Sequence, residues 1–368
     1  MSLPAELISQ ILNPPPARPA VIPSLVIRST VEDFEVEEIP AYAPSGSGEH
    51  GWLWIEKRGL SSPELVKRIC TTLEVPSKDV GLAGQKDRHA VTRQFVSLPR
   101  RYAERAESLN SDDLRVLTVT AHTNKLKTGH LRGNRFRLVV RPGESATFDE
   151  AVASQIQDRL ALLSAEGFPN YFGRQRFGHD GQTLQDGLRY LKGRLPKDHW
   201  PEHQTRTLQR LSLSSVQSAV FNLVLAGRVQ AGTFASPVAG DVVIRRDGIK
   251  PFRLPDGGDP AGLVPAGPMP GPEMLASGDD VAAQEAAAMT VMGLNANDFR
   301  RFPKLTSGIL RKLVEFPAAA STSLQSDGSL LLAFELSAGT YATTLLEALA
   351  TEVVDDAAAV VTADVARD

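Results

Sequence analysis

GLAGQKDRHAVTRQFVSLP (residues 81–99) decides how the first half of the chain is read. Its opening sets Lys86, Asp87, Arg88 and His89 after two glycines, Gly81 and Gly84, and its close, RQFVSLP (93–99), reads as a strand. Just upstream, SSPELVKRICTTLEV (61–75) offers Ser62 as a cap, Pro63 at the first helical position, and Leu65, Ile69 and Leu73 four residues apart. That is a helix with one buried face. Downstream, NRFRLVVRP (134–142) alternates Phe136, Leu138 and Val140 with basic residues until Val139 and reads as another strand. From Asp149 to Glu166 the apolar spacing turns helical through Val152, Ile156, Leu160 and Leu163, and Gly167 is placed as its C-cap. Strands and helices mixed without a βαβ rhythm predict an α+β fold rather than a doubly wound sheet.

After about residue 192 the texture changes. LSLSSVQSAVFNLVLAGRV (211–229) is a helix, GDVVIRRDG (240–248) a short strand ending in a turn, and residues 255–279 are crowded with Pro and Gly, which predicts loops. SLLLAFELSAGTYATTLLEALATEV (329–353) returns to a strand followed by a helix, and the Ala, Val and Asp-rich end, Asp355 to Asp368, is expected to fray. The change of texture and the return predict a discontinuous domain, 1–192 and 306–368, and an inserted α+β domain, 193–305.

At 368 residues, with 42% hydrophobic and 23% charged, the chain has the composition of a soluble globular protein large enough for two domains. No apolar run approaches the ~18 residues of a membrane span, and the amino terminus lacks the basic and cleavage features of a secretory signal. Cys70 is the only cysteine, which excludes an intrachain disulfide and fits a cytoplasmic protein. The net charge of −3 excludes a protein that is basic overall, yet Leu114 to Gly143 holds seven Lys or Arg residues and no acid. Such a stretch is either a face for a polyanion or a solvated strand pair.

GSGEHG (46–51) matches G-x-G-x-x-G but runs into WLWIEK, a strand, whereas a dinucleotide loop must open a helix. GLAGQKD lacks P-loop spacing. His199 and His203 are interrupted by Pro201 with no further ligand nearby, so no metal is expected. Cys70 sits on the helix face as a small core residue. Asp87 is left as the carboxylate to weigh. By itself it is a turn residue; two stretches change that. PNYFGRQRFG (169–178) sets aromatics, an amide and the guanidinium groups of Arg174 and Arg176 between glycines, a composition suited to bases and phosphates or to core filling. In VEDFEVEEI (31–39), Phe34 alternates with acids and is either a core anchor or a stacking wall.

AGQKDRHAVTRQ, PNYFGRQRFG, the EDF of 32–34, the GEH of 48–50 and the LSAGTYAT of 336–343 together resemble the TruD family of tRNA pseudouridine synthases, in that family's order and over roughly residues 25 to 350. The resemblance implies a pseudouridine synthase fold with a mixed, mainly antiparallel sheet, interrupted by the inserted TRUD domain. It implies isomerisation of uridine 13 of tRNA to pseudouridine without metal or organic cofactor. The expected partner is tRNA, and the expected state a monomer. Matched by motif position, it implies Asp87 as nucleophile and Arg28, Phe34, Lys86, Asn170, Phe172 and Tyr341 at the substrate. Tyr341 stands where the family pattern has phenylalanine, and Arg28 where a lysine is also expected. With tRNA as partner, Lys125, Lys127, Arg132, Arg135, Arg137, Arg174 and Arg176 become candidates for its backbone. A carboxylate suits the task because it is ionised at neutral pH without a base. It can attack the sugar or the electron-poor uracil face, and both routes stand open. A non-catalytic tRNA-binding protein and an RNA glycosylase are the competing readings.

Overall fold

The structure, a computed structural model, describes residues 2–144, 146–196, 198–255 and 257–357, without the side chains of residues 203 and 279. Most of the expected frayed tail, 358–368, and the side chain of His203 lie outside the described residues. Helices in chain order are α1 (Ala5–Leu12), α2 (Ser62–Leu73), α3 (Arg100–Ala103), α4 (Glu150–Glu166), α5 (Gln182–Leu191), α6 (Thr205–Gln230), α7 (Asp279–Val291), α8 (Ala296–Phe299) and α9 (Ala342–Glu347). Strands of the first half are β1 (Ile22–Ile27), β2 (Phe34–Pro40), β3 (His50–Arg58), β4 (Gly81–Leu82), β5 (Val91–Pro99), β6 (Leu114–His122) and β7 (Leu131–Pro142). Those of the second half are β8 (Phe168–Pro169), β9 (Val242–Arg245), β10 (Pro251–Arg253), β11 (Leu263–Met269), β12 (Ile309–Lys312), β13 (Val314–Glu315), β14 (Ala318–Leu324), β15 (Leu330–Ser337) and β16 (Ala350–Asp355).

The chain forms two compact units, split at Ala165/Glu166 and Phe316/Pro317. The larger-sheet unit holds Ala20–Ala165, Pro317–Ala342 and the chain from Leu349 on. Its sheet runs β14-β15-β7-β2-β5-β3-β6, with β1 between β7 and β16. Only β2–β5 and β1–β16 are parallel, so the sheet is mixed and mainly antiparallel. Period-2 alternation puts Leu53 and Ile55 of β3 and Val96 and Leu98 of β5 on one face. There they share a core with Leu65, Ile69 and Leu73 of α2, each fully buried. Cys70 packs half-buried against the same core. Phe136 of β7 stacks on Phe334 of β15, ring centres 5.3 Å apart, and meets Phe34 edge-on at 6.3 Å. GSGEHG leads into β3, as its strand-like continuation predicts.

The other unit holds the chain up to Pro19, Glu166–Phe316 and Thr343–Ala348. The expected domain boundaries at 193 and 305 fall inside it on this division. Gly167, at φ +83°, ends α4 in the left-handed conformation that glycine adopts without strain. In the Pro/Gly-rich stretch 255–279 the expectation of loops alone fails, because LVPAGPM forms β11. This strand changes partner midway: Leu263–Pro265 pairs with β9 and Ala266–Met269 with β12. Each half needs its ladder on one side only, so Pro265 and Pro268 can lack N–H groups without leaving a buried acceptor unpaired. Gly267 lets the strand approach the ring of Phe221 on α6, which a Cβ would meet at 3.1 Å. The sequence ALATEV, read as the end of a helix, is instead largely β16, whose parallel pairing with β1 supplies the ladder. Among the described residues no helix is long and apolar enough to cross a membrane.

Candidate active site

The turn carrying Asp87 is held from below by its neighbours in sequence and in the sheet. Helix α2 is capped by Ser61, not Ser62: the Ser61 hydroxyl accepts from the Glu64 N–H, and the Glu64 carboxylate accepts from the Ser61 N–H at 2.8 Å. Ser62 is thereby free for another task. It is buried, and its hydroxyl accepts from the Lys86 N–H at 3.0 Å, tying the turn to the start of the helix.

Asp87 has a side chain 46% exposed, open to a ligand, over an Arg28 side chain only 8% exposed. One guanidinium nitrogen of Arg28 lies 3.2 Å from Asp87 Oδ2 and another 2.5 Å from Asp355 Oδ2. The guanidinium carbon sits 4.0 Å from the centre of the Phe34 ring. Phe34 is 1% exposed. Its ring is buried in this unit and presents its face to Arg28. Arg28 itself has φ +58°, a left-handed backbone that costs an L-residue about 1 kcal/mol or more. Asp355 had no signal in the sequence beyond lying in a tail expected to fray; it is the last residue of β16.

Lys86, expected at the substrate, has its ammonium 2.9 Å from Glu38 Oε2 in a pair whose side chains are 4% and 1% exposed. Lys57 is fully buried and donates to the carbonyl oxygens of Leu60 and Asp87, the latter at 2.9 Å. Burial pulls its pKa down from 10.5 to about 8, with the Asp87 carboxylate opposing and Lys86 adding to the drop. Both Lys57 and Glu38 escaped the sequence reading. Their signal was available: Leu53-Ile55-Lys57 and Phe34-Val36-Glu38 each put a charge at the next position of an apolar alternation. Tyr341 is half-buried and follows β15 near the end of this unit's Pro317–Ala342 segment.

In the other unit, PNYFG is clamped through its backbone and its amide. Asn222 of α6 accepts from the Phe172 N–H at 2.9 Å and donates to the Phe172 carbonyl at 3.0 Å. Asn170 donates to the Lys312 carbonyl at 3.0 Å, and its Oδ1 accepts from Arg311. The Phe172 ring, 8% exposed, has the guanidinium of Arg311 4.3 Å from its centre and that of Arg176 at 5.5 Å. Arg176 donates to Ser214 and Ser218, and Arg174 to Asn13. Asn222 and Arg311 had no motif to mark them.

The basic candidates of the larger-sheet unit differ in how free they are. Arg135 is bound across strands to Glu37 at 2.6 Å and Glu335 at 2.8 Å. Lys125 donates to the Lys78 carbonyl. Lys127, Arg132 and Arg137 are exposed. Among the described residues no group of three His, Cys, Asp or Glu side chains is placed to hold a metal ion.

Comparison with known proteins is consistent with this geometry. A family model described as tRNA pseudouridine synthase D (TruD) matches residues 24–197 and 201–349. The tRNA pseudouridine synthase D of an Anaeromyxobacter species is 37% identical over 329 residues, covering 88% of this chain and 91% of that protein. That of Thermus thermophilus is 34% identical over 338 residues, covering 89% and 90%. In fold, a Methanosarcina mazei crystal structure described as a tRNA pseudouridine synthase D superposes with a TM-score of 0.71 at 23% identity, over 95% of this chain and 99% of that one. With an exposed aspartate paired to a buried arginine in the GQKD turn, and a family match spanning both units, this chain belongs to the tRNA pseudouridine synthase D family.

Proposed function

We propose that the protein isomerises uridine 13 of tRNA to pseudouridine, with Asp87 as nucleophile. The observation that carries this reading is the Arg28–Asp87 pair: a carboxylate that is solvent-accessible on one side and bound by a buried cation on the other. The reaction breaks the N1–C1′ bond, turns the detached uracil and joins C5 to C1′; the proton on C5 is lost and N1 gains one, so mass is unchanged. An ionised carboxylate serves either as attacker of C1′ or of the uracil ring. The target uridine must leave its stack, at a cost of about a few kcal/mol, which contacts in the pocket offset. Asn170, Phe172 and Tyr341 belong to the proposal as substrate contacts. So does the division into a catalytic domain, 1–192 and 306–368, and an inserted domain, 193–305. Asn222 in the latter range holds the Phe172 backbone, so removing 193–305 would also release the PNYFG segment.

Incubating the protein with unmodified tRNA and mapping carbodiimide-dependent primer stops tests the function. A new stop at position 13 with unchanged RNA mass is expected. No stop would favour a non-catalytic RNA-binding protein, and release of uracil a glycosylase.

The backbone candidates carry a second expectation. Affinity for tRNA falls with rising salt, and Arg137→Glu lowers the slope of log K against log salt by about one. Arg135→Glu changes it less, because Arg135 is already bound by two carboxylates. Equal slopes for the Arg137→Glu variant and the wild type would put the RNA elsewhere.

A further inference from the structure

We infer that Lys57 is a positioning residue for Asp87: from inside the sheet it fixes the peptide of the nucleophile and so the aim of its carboxylate. The inference rests on the proposed role of Asp87. Lys57 is the third residue of a β3 alternation whose other members, Leu53 and Ile55, are core, and its side chain is fully buried. An ammonium at that position gives up its hydration and is retained only where fixed acceptors replace water. The acceptors are two carbonyls from two different turns, those of Leu60, before α2, and of Asp87, before β5. Lys57 thus joins the two segments that flank α2.

The surrounding layer is polar where the same sheet face elsewhere is apolar. Thr92 of β5 is opposite Lys57 in register and opposite Val36 of β2, and Gln94, two residues on, faces Ile55. Both are fully buried, and Thr92 Oγ1, both polar atoms of the Gln94 side chain and Glu38 Oε1 have no partner among the described protein groups. The charged groups that act on Lys57 are Asp87 and Lys86 from the turn and Glu64 from α2, and Glu38 binds Lys86. A sheet that needed only stability would fill this layer with aliphatic side chains; here Lys57, Lys86 and Glu38 are buried beneath the Asp87 turn instead. The ammonium contacts only the main chain of residue 87, so it sets where that residue stands without taking up the carboxylate.

The test is Lys57→Met, close in length and without donors, assayed with full-length protein and unmodified tRNA beside Asp87→Asn. The expected result is a fall of about 10²-fold in kcat, the size of effect that an ångström-scale misplacement of a reacting group produces, with KM within about threefold of wild type. Lys57→Gln, which keeps an N–H donor, is expected to recover part of the rate and also serves if the Met variant does not fold. A kcat within threefold of wild type in the folded variant overturns the inference. So does a loss shared equally between kcat and KM that tracks a lowered melting temperature, which is what a purely structural lysine gives. If Asp87→Asn turns over normally, the nucleophile reading fails on its own account; if it is inactive while Lys57→Met is normal, only the role of Lys57 falls.

Discussion

Replacing Asp87 with Asn is expected to lower pseudouridine formation by at least about 10⁴-fold while tRNA affinity stays within about tenfold, because an amide keeps the shape of the carboxylate but is not a nucleophile. The structure says why the loss should be confined to chemistry. The turn is held by contacts that do not use the Asp87 carboxylate: Ser62 on the Lys86 N–H, Lys57 on the Asp87 carbonyl, and Glu38 on the Lys86 ammonium. Arg28 keeps Asp355 as a partner. The Arg28–Asp87 pair is half exposed on the aspartate side, so its loss should cost at most about 1 kcal/mol of stability. Single-turnover rates, filter-binding affinity and melting temperature, measured on protein whose mass excludes reversion to Asp, check this together. Turnover within tenfold of wild type would remove Asp87 from the mechanism. Wild-type affinity and stability with no turnover would leave it as the reacting group.

What could be read from the chain followed from how local each signal was. The helix 62–73 and strands around 93–99 and 134–142 are set by short-range periodicity, and the structure puts them there with the expected faces buried. Partner switching in β11 is not local: its prolines argue against a strand until β9 and β12 are known to divide it. Likewise β16 owes its existence to β1, more than 300 residues earlier in the chain. At the site, the resemblance led to Asp87 through the word GQKD and to Arg28 through its place six residues before Phe34. The supports of those residues are single side chains far away in sequence. Asp355 is seen only once β16 is paired, and Asn222 only once α6 meets the PNYFG segment. Lys57 and Glu38 lie between these cases. Each breaks an apolar alternation with a charge, and a charge on the buried face of a strand is a local sign that a polar partner waits inside the fold.

Arg28→Met is expected to lower kcat by about 10²–10³-fold, and Arg28→Lys by less than about tenfold. The guanidinium is shared by two carboxylates, Asp87 and Asp355, and its side chain, stacked on Phe34, is only 8% exposed. Methionine fills the volume over Phe34 but leaves Asp355, 29% exposed, and Asp87 without their common cation. Without that cation nothing in its place holds the Asp87 oxygen in one direction, so the loss falls on kcat through misplacement of the reacting group. Lysine restores the charge but not the fork. Its single ammonium can serve one carboxylate well, and with a planar guanidinium gone the face-on contact with Phe34 weakens. The backbone adds a separate constraint: at φ +58° neither variant relieves the left-handed conformation, so both carry the same strain as the wild type and differ from it in charge and reach alone. Single-turnover rates for the three proteins, with tRNA affinity measured in parallel, separate the outcomes. A methionine variant as fast as the lysine variant would show that the charge of Arg28 contributes nothing to the reaction and that its place over Phe34 is one of packing.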